Sequence, residues 1–217
     1  MNQALKSELQ QLAIGNDEYR KFNARTVNDD SVDYIGVRIP DLRKLAKKIA
    51  AGDWRQFLLD GAWQTHEEKM LAMLLPQYIK PKLVLSELFS YFNEVTLLFS
   101  SWAQTDTLAT KYTQIEKNRP ESYKIIVGYI LSDKPWVIRF GVILLMENFL
   151  VDEYISGVLM LMKNIHSEEY YVKMAVAWLL AEAAIKYREN VDKTLDCIDA
   201  ETAKFARQKM RDSRRVR

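Results

Sequence analysis

The chain has 217 residues, 48% of them hydrophobic and 28% charged, with a net charge of +2. That balance suits a globular protein long enough to bury a substantial core. The small net charge excludes a partner held by whole-chain polycation character, so a polyanion has to be met by local clusters.

The single cysteine, Cys197, forms no internal disulfide and suits a reducing compartment. The opening "MNQALKSELQQLA" is amphipathic rather than continuously apolar, so no secretory signal is expected. No run of 18 apolar residues suggests a membrane span, and a cytoplasmic monomer is the expectation.

Seven glycines and five prolines are few for this length. Alternating β-type runs are nearly absent, and apolar residues recur at helical spacing almost throughout. In chain order the pattern predicts helices over 2–13, 17–25, 40–51, 53–59, 65–77, 81–91 and 94–115. It continues with 120–132, 135–150, 152–164, 168–187, 190–197 and 200–212. In the third helix Ile39, Leu42, Leu45, Ala46 and Ile49 form one stripe, and Pro40 suits a first turn. The breaks are brief, so one all-α domain over 1–217 is expected.

A weak internal repeat is present. "WVIRFGVILLM" (136–146) aligns with "YYVKMAVAWLL" (170–180) at an offset of 34, and "HEEKMLAMLLP" (66–76) resembles both. A basic slot recurs at Lys69, Arg139 and Lys173, and Asp106 falls near the missing slot between the first two. Paired helices at such a period predict an α-solenoid of HEAT-like repeats with equivalent slots stacked in one concave basic groove. An irregular helical bundle is the alternative.

In "SSWAQTDTLAT" (100–110), Trp102 and Asp106 stand four apart, one turn apart on one helix face. A lone helical Asp is commonly solvated or a cap. Beside an indole and basic slots it is suited to opposing positive charge on a sugar as a glycosidic bond breaks, or to orienting a water. Indole faces attract cations and stack on sugars and bases. Trp178 lies in "KMAVAWLLAEAA", where a core role is equally natural; Trp54 and Trp63 are read as core.

Positive charge is concentrated in "GVRIPDLRKLAKK" (36–48), net +4, and in the tail 201–217, net +5. Arg38, Arg43 and Lys47 in the first segment, with Lys69 and Lys173, are the candidates to hold a phosphate backbone. A solvated helix face is the ordinary alternative. With two histidines, one cysteine and no HExxH or CxxC, no metal site is encoded. No GxGxxG, GxxxxGK[ST] or GxSxG occurs, so no phosphate loop or nucleophile elbow is suggested, and no cofactor is expected.

Four segments, "YIGVRIPDLRKLAKKIA", "SWAQTD", "KPWVIRFGVILLM" and "YYVKMAVAWLL", together and in this order resemble the AlkD family of bacterial DNA alkylation repair proteins. The resemblance implies an α-solenoid with a basic concave surface for duplex DNA. It implies a monofunctional glycosylase that removes cationic N3- and N7-alkylated purines without metal or cofactor and without flipping the base into a pocket. Position by position, it makes Asp106 the catalytic group, gives Trp102 and Trp178 contact with the lesion's deoxyribose and phosphate, and sets Arg139 on the backbone near the lesion.

The sequence departs from that pattern at three places. Thr26 stands where active members carry a groove-entering aromatic. "VNDDSVD" adds three acids and poor helix formers, which predicts a shortened helix and weak duplex binding. Ala181 replaces an arginine three residues past the second tryptophan. Two further readings therefore stand beside the enzyme: a non-catalytic paralogue that binds DNA weakly, and a HEAT-type scaffold for an acidic peptide.

Overall fold

The computed structural model describes residues 3–213. The described residues are all-α, in fourteen α-helices, with no strand beyond one isolated bridge between Asp33 and Thr65. The chain forms two compact units, Met1–Leu108 and Ala109–Arg217.

The first unit holds α1 (Gln3–Leu12), α2 (Asp17–Val27), α3 (Ile39–Ala51), α4 (Trp54–Asp60), α5 (His66–Leu74), α6 (Leu85–Val95) and α7 (Trp102–Leu108). Within it α3 packs on α5 and α5 on α7. The expected stripe of α3 does what its spacing dictates: Leu42, Leu45 and Ala46 are buried against Leu71 and Leu74 of α5. Every residue of α5 is buried, including His66, Glu67, Glu68 and Lys69. Its start is fixed by a capping box, in which Thr65 Oγ1 accepts from Glu68 N–H and the Glu68 carboxylate accepts from Thr65 N–H.

The second unit holds α8 (Thr113–Lys117), α9 (Arg119–Ile130), α10 (Pro135–Asn148), α11 (Ile155–Asn164), α12 (Tyr170–Ala183), α13 (Arg188–Leu195) and α14 (Ala200–Asp212). Here α9 packs on α10, α10 on α12 and α12 on α14, while α11 packs on α13. Alternate helices thus form successive layers, the arrangement of a helical repeat. The aligned segments 136–146 and 170–180 fall in α10 and α12, equivalent helices of neighbouring repeats.

One expected helix is broken. Residues 94–115 are not continuous: α6 runs to Val95, a 3₁₀ turn covers Thr96–Leu98, and α7 and α8 follow separately. The first break is made by Gln104, whose side-chain oxygen accepts the N–H groups of Ser100 and Ser101 at 2.7 and 3.3 Å. The second is held by Asn148 of α10. Its side chain accepts Tyr112 N–H at 3.1 Å and donates to the Thr110 carbonyl at 3.2 Å. Amides bound this way are no longer available to a helix. The helix expected at 81–91 begins only at Leu85.

Candidate nucleic-acid interface

The break before α7 decides which of its faces is open. With Trp102 as the first helical residue, Ala103, Gln104 and Thr105 turn inward and are buried, as is Leu108. Trp102 and Asp106, one turn apart, stay partly accessible. Trp102 packs at the edge of the core around Leu9, Val27 and Val37. Its indole N–H donates to the Thr26 carbonyl at 3.3 Å, which ties α7 to the last turn of α2. Thr105 Oγ1 lies 3.0 Å from Asp106 Oδ1 and 2.8 Å from the Trp102 carbonyl, and its single proton serves one of them at a time. Counted from the helix start, Thr105 occupies the position that Lys69 holds in α5 and Lys173 in α12, and Asp106 stands one residue beyond it.

The end of α2 differs from expectation. The helix reaches Val27 and stops at Asn28, whose left-handed conformation (φ 54°) closes the last turn. Thr26 carries no aromatic to this tip, and its hydroxyl folds back onto the Phe22 carbonyl at 2.8 Å. Of the three acids that follow, Asp29 is buried rather than facing outward. One of its oxygens accepts from the N–H and hydroxyl of Ser31 at 3.0 and 2.6 Å. The other accepts from the Ser100 hydroxyl at 2.5 Å. Only Asp30 and Asp33 remain exposed to repel a phosphate.

The basic segment 36–48 sorts into two edges of α3. Lys44 and Lys48 are paired with Asp41 at 2.8 Å and Glu8 at 2.9 Å. Arg43 and Lys47 are exposed, have no carboxylate partner among the described residues, and flank Tyr78. Arg43 donates to the Tyr78 hydroxyl at 3.3 Å, and Lys47 Nζ lies 5.3 Å from the ring centroid. Arg38, before the helix, donates to the Asn16 side chain at 3.2 Å and lies over the Tyr19 ring at 4.8 Å.

Arg38 is carried by a loop that sequence reasoning passed over. Glu67, fully buried, accepts the N–H groups of Ile35, Gly36 and Val37 at 3.0, 2.8 and 3.3 Å. Gly36 is required there: its φ is +101°, and a Cβ would come within 2.9 Å of Arg20 Cβ. The Y-x-G-x-R pattern was the only sequence signal for this loop. Nothing local identified the glutamate thirty residues later.

The three slot cations share a different arrangement. Each is buried, and each reaches forward to the start of the next helix in its series. Lys69 of α5 donates to the Ser100 hydroxyl at 2.7 Å, just before α7. Arg139 of α10 donates to the Tyr171 carbonyl at 2.7 Å, in the first turn of α12. Lys173 of α12 pairs with Glu201 in the first turn of α14 at 2.8 Å and with Glu168 at 2.9 Å. The hydrogen bonds to these two carboxylates hold the Lys173 ammonium in its charged form well above its ordinary range. Burial pushes the Lys69 amine down, with Asp29 opposing. His66, stacked 5.0 Å from Tyr34, is pushed down to about 4, chiefly by burial.

Trp178 is half-buried in α12, with Lys209 Nζ 5.9 Å from its ring. The tail residues 214–217, counted among the basic groups, lie outside the described residues. Two cavities of about 440 and 380 Å³ in the first unit are lined by neither Trp102 nor Asp106. Among the described residues no group of three or more His, Cys, Asp or Glu is placed to hold a metal ion, and no helix is long and apolar enough to cross a membrane.

A repeat of paired helices, an accessible indole–carboxylate face and an unpaired basic helix edge define a helical-repeat protein suited to a polyanion. The chain belongs to the DNA alkylation repair enzyme family, whose model matches residues 5–215. Membership of that family supports a role in DNA alkylation repair and points to DNA as the partner. A comparison with curated proteins gave no match.

Proposed function

We propose that the chain is a monofunctional DNA glycosylase of AlkD type, hydrolysing the N-glycosidic bond of cationic N3- or N7-alkylated purines in duplex DNA. The observation that supports this most is the open face of α7, where Trp102 and Asp106 are accessible while the three residues between them are buried. In an alkylated purine the base already carries the positive charge. As the C1′–N bond breaks, its electron pair moves to the base, which leaves neutral, and the charge passes to the sugar. The Asp106 carboxylate opposes that oxocarbenium charge. Water then adds at C1′ and releases a proton. No general acid is needed for so good a leaving group.

Trp102 packs against deoxyribose in this reading, Trp178 is a sugar-contact candidate by the family resemblance alone, and Arg38, Arg43 and Lys47 hold phosphate. Lys69 and Arg139 are buried on the Ser100 hydroxyl and the Tyr171 carbonyl, and Lys173 on the exposed carboxylates of Glu168 and Glu201, so contact with phosphate requires them to exchange partners. Asp106→Asn is expected to lower release of 3-methyladenine and 7-methylguanine from methylated duplex by about 10³-fold with duplex affinity unchanged. Equal release by both proteins removes Asp106 from the chemistry.

One observation favours a second reading, a paralogue that binds duplex without excision: Thr26, its hydroxyl turned back on Phe22, leaves the tip of α2 without an aromatic. Measurable duplex binding with no base release by the unaltered protein establishes that reading instead.

A further inference from the structure

Thr105 directly precedes Asp106 in α7 and is fully buried. Its hydroxyl has two acceptors within reach, the Trp102 carbonyl at 2.8 Å and Asp106 Oδ1 at 3.0 Å. A threonine hydroxyl carries one proton, so the two acceptors compete for it. The carbonyl has a second donor: Trp102 opens the helix, and the helical pattern brings the Asp106 N–H to its oxygen. The carboxylate is charged, and a hydrogen bond to a charged acceptor is the stronger of the two. Giving the proton to Asp106 therefore costs the backbone little and fixes one carboxylate oxygen.

The residue type suits that task. Threonine is branched at Cβ, which stiffens χ1, and in a helix its Oγ1 turns back toward the preceding turn. Burial beside Ala103 and Gln104 leaves the hydroxyl little freedom to wander. Thr105 also stands at the position, counted from the helix start, where α5 carries Lys69 and α12 carries Lys173. Both of those ammonium groups reach forward to the start of the next helix. In α7 a neutral donor replaces the cation and turns to the adjacent carboxylate. A hydroxyl orients a carboxylate without setting a positive charge beside it. A group that opposes positive charge on a sugar needs a fixed direction with its own charge intact.

We propose that Thr105 is a positioning residue for Asp106, its hydroxyl holding Oδ1 so that the carboxylate keeps one orientation. Thr105 touches neither sugar nor base and acts only through its neighbour. The assignment rests on the reading of Asp106 as the group that opposes the oxocarbenium charge, and its test includes a readout that needs no DNA.

Three-bond couplings from the Asp106 carboxyl carbon to its own backbone nitrogen and carbonyl carbon report χ1 in the ¹³C,¹⁵N-labelled full chain. One rotamer is expected for the unaltered protein and for Thr105→Ser, which keeps the donor. Averaging over rotamers is expected for Thr105→Val, which keeps the shape and removes the donor. Release of 7-methylguanine from methylated duplex should fall by about 10- to 100-fold in Thr105→Val, with duplex affinity unchanged, and return in Thr105→Ser. A single rotamer in the valine variant, averaging in the unaltered protein, no return in the serine variant, or full release by a valine variant whose rotamer averages overturns the proposal. Absence of release from every protein, the unaltered one included, sinks the glycosylase reading, and the couplings alone then decide whether Thr105 holds Asp106. Should Thr105→Val fail to fold, Thr105→Ala takes its place.

Discussion

Arg43 and Lys47 on α3, and Lys69, Arg139 and Lys173 in the repeat slots, are five cations of one sign put to two uses. The first pair stands at an exposed helix edge, neutralised by no carboxylate among the described residues. The other three are buried, and each ties its helix to the start of the next one in the series. The exposed pair is available to a phosphate backbone without any rearrangement. The buried three already have acceptors, and each must give one up to meet a phosphate. A basic residue that recurs with a structural repeat is therefore a poor guide to a polyanion surface.

Three measurements break or sharpen that contrast. Replacing Lys69 with Met removes the cation hydrogen-bonded to the Ser100–Asp29 pair and leaves Asp29 buried without its charge partner. Unfolding by urea should show a loss of about 3–4 kcal/mol, with little change in the salt dependence of duplex binding. A loss below about 1 kcal/mol would mean that the slot is not a structural tie.

His66, three residues before Lys69, tests the same buried region by pH. Its folded pKa, near 4, lies below its unfolded value of about 6.5, so the unfolded chain binds the proton more readily. The contribution is present above about pH 6.5 and is lost as pH falls toward 4. Between about pH 7 and pH 5 the loss should amount to about 2 kcal/mol. His66→Phe keeps a ring against Tyr34, and the difference in pH dependence between the two proteins isolates this share. Parallel stability profiles would contradict it.

The smallest effect on stability, and the largest on DNA binding, is expected for Arg43→Gln with Lys47→Gln. Stability should change by less than about 0.5 kcal/mol. The slope of log affinity against log salt should flatten by about 0.9 for each phosphate no longer neutralised. An unchanged slope would take this edge out of the interface.

The helices were legible where one face alone decides the pattern. The stripe of α3 and the limits of α14 follow from spacing, as does the placing of Trp102 and Asp106 on one face. The break at 96–101 was not legible, because Gln104 ends one element and starts the next through a side-chain bond that mimics the backbone. The break at 109–112 depends on Asn148, thirty-six residues away from Tyr112. The alignment singled out Lys69, Arg139 and Lys173 as one recurring slot, and only their partners reveal that each ties one helix to the next. Asp29 reads as one more surface acid in "NDDS" until Ser100 is brought to it from seventy-one residues away.

The loop before α3 has a consequence for how the protein could travel on its partner. Three successive N–H groups converge there, the kind of backbone concavity that elsewhere cradles a phosphate. Glu67 fills it from within. In the proposed reading, an incoming nucleic-acid backbone thus finds no fixed berth at this point. In that reading it meets instead the long arms of Arg38, Arg43 and Lys47, which would swing from one phosphate to its neighbour and so permit one-dimensional scanning without first letting go.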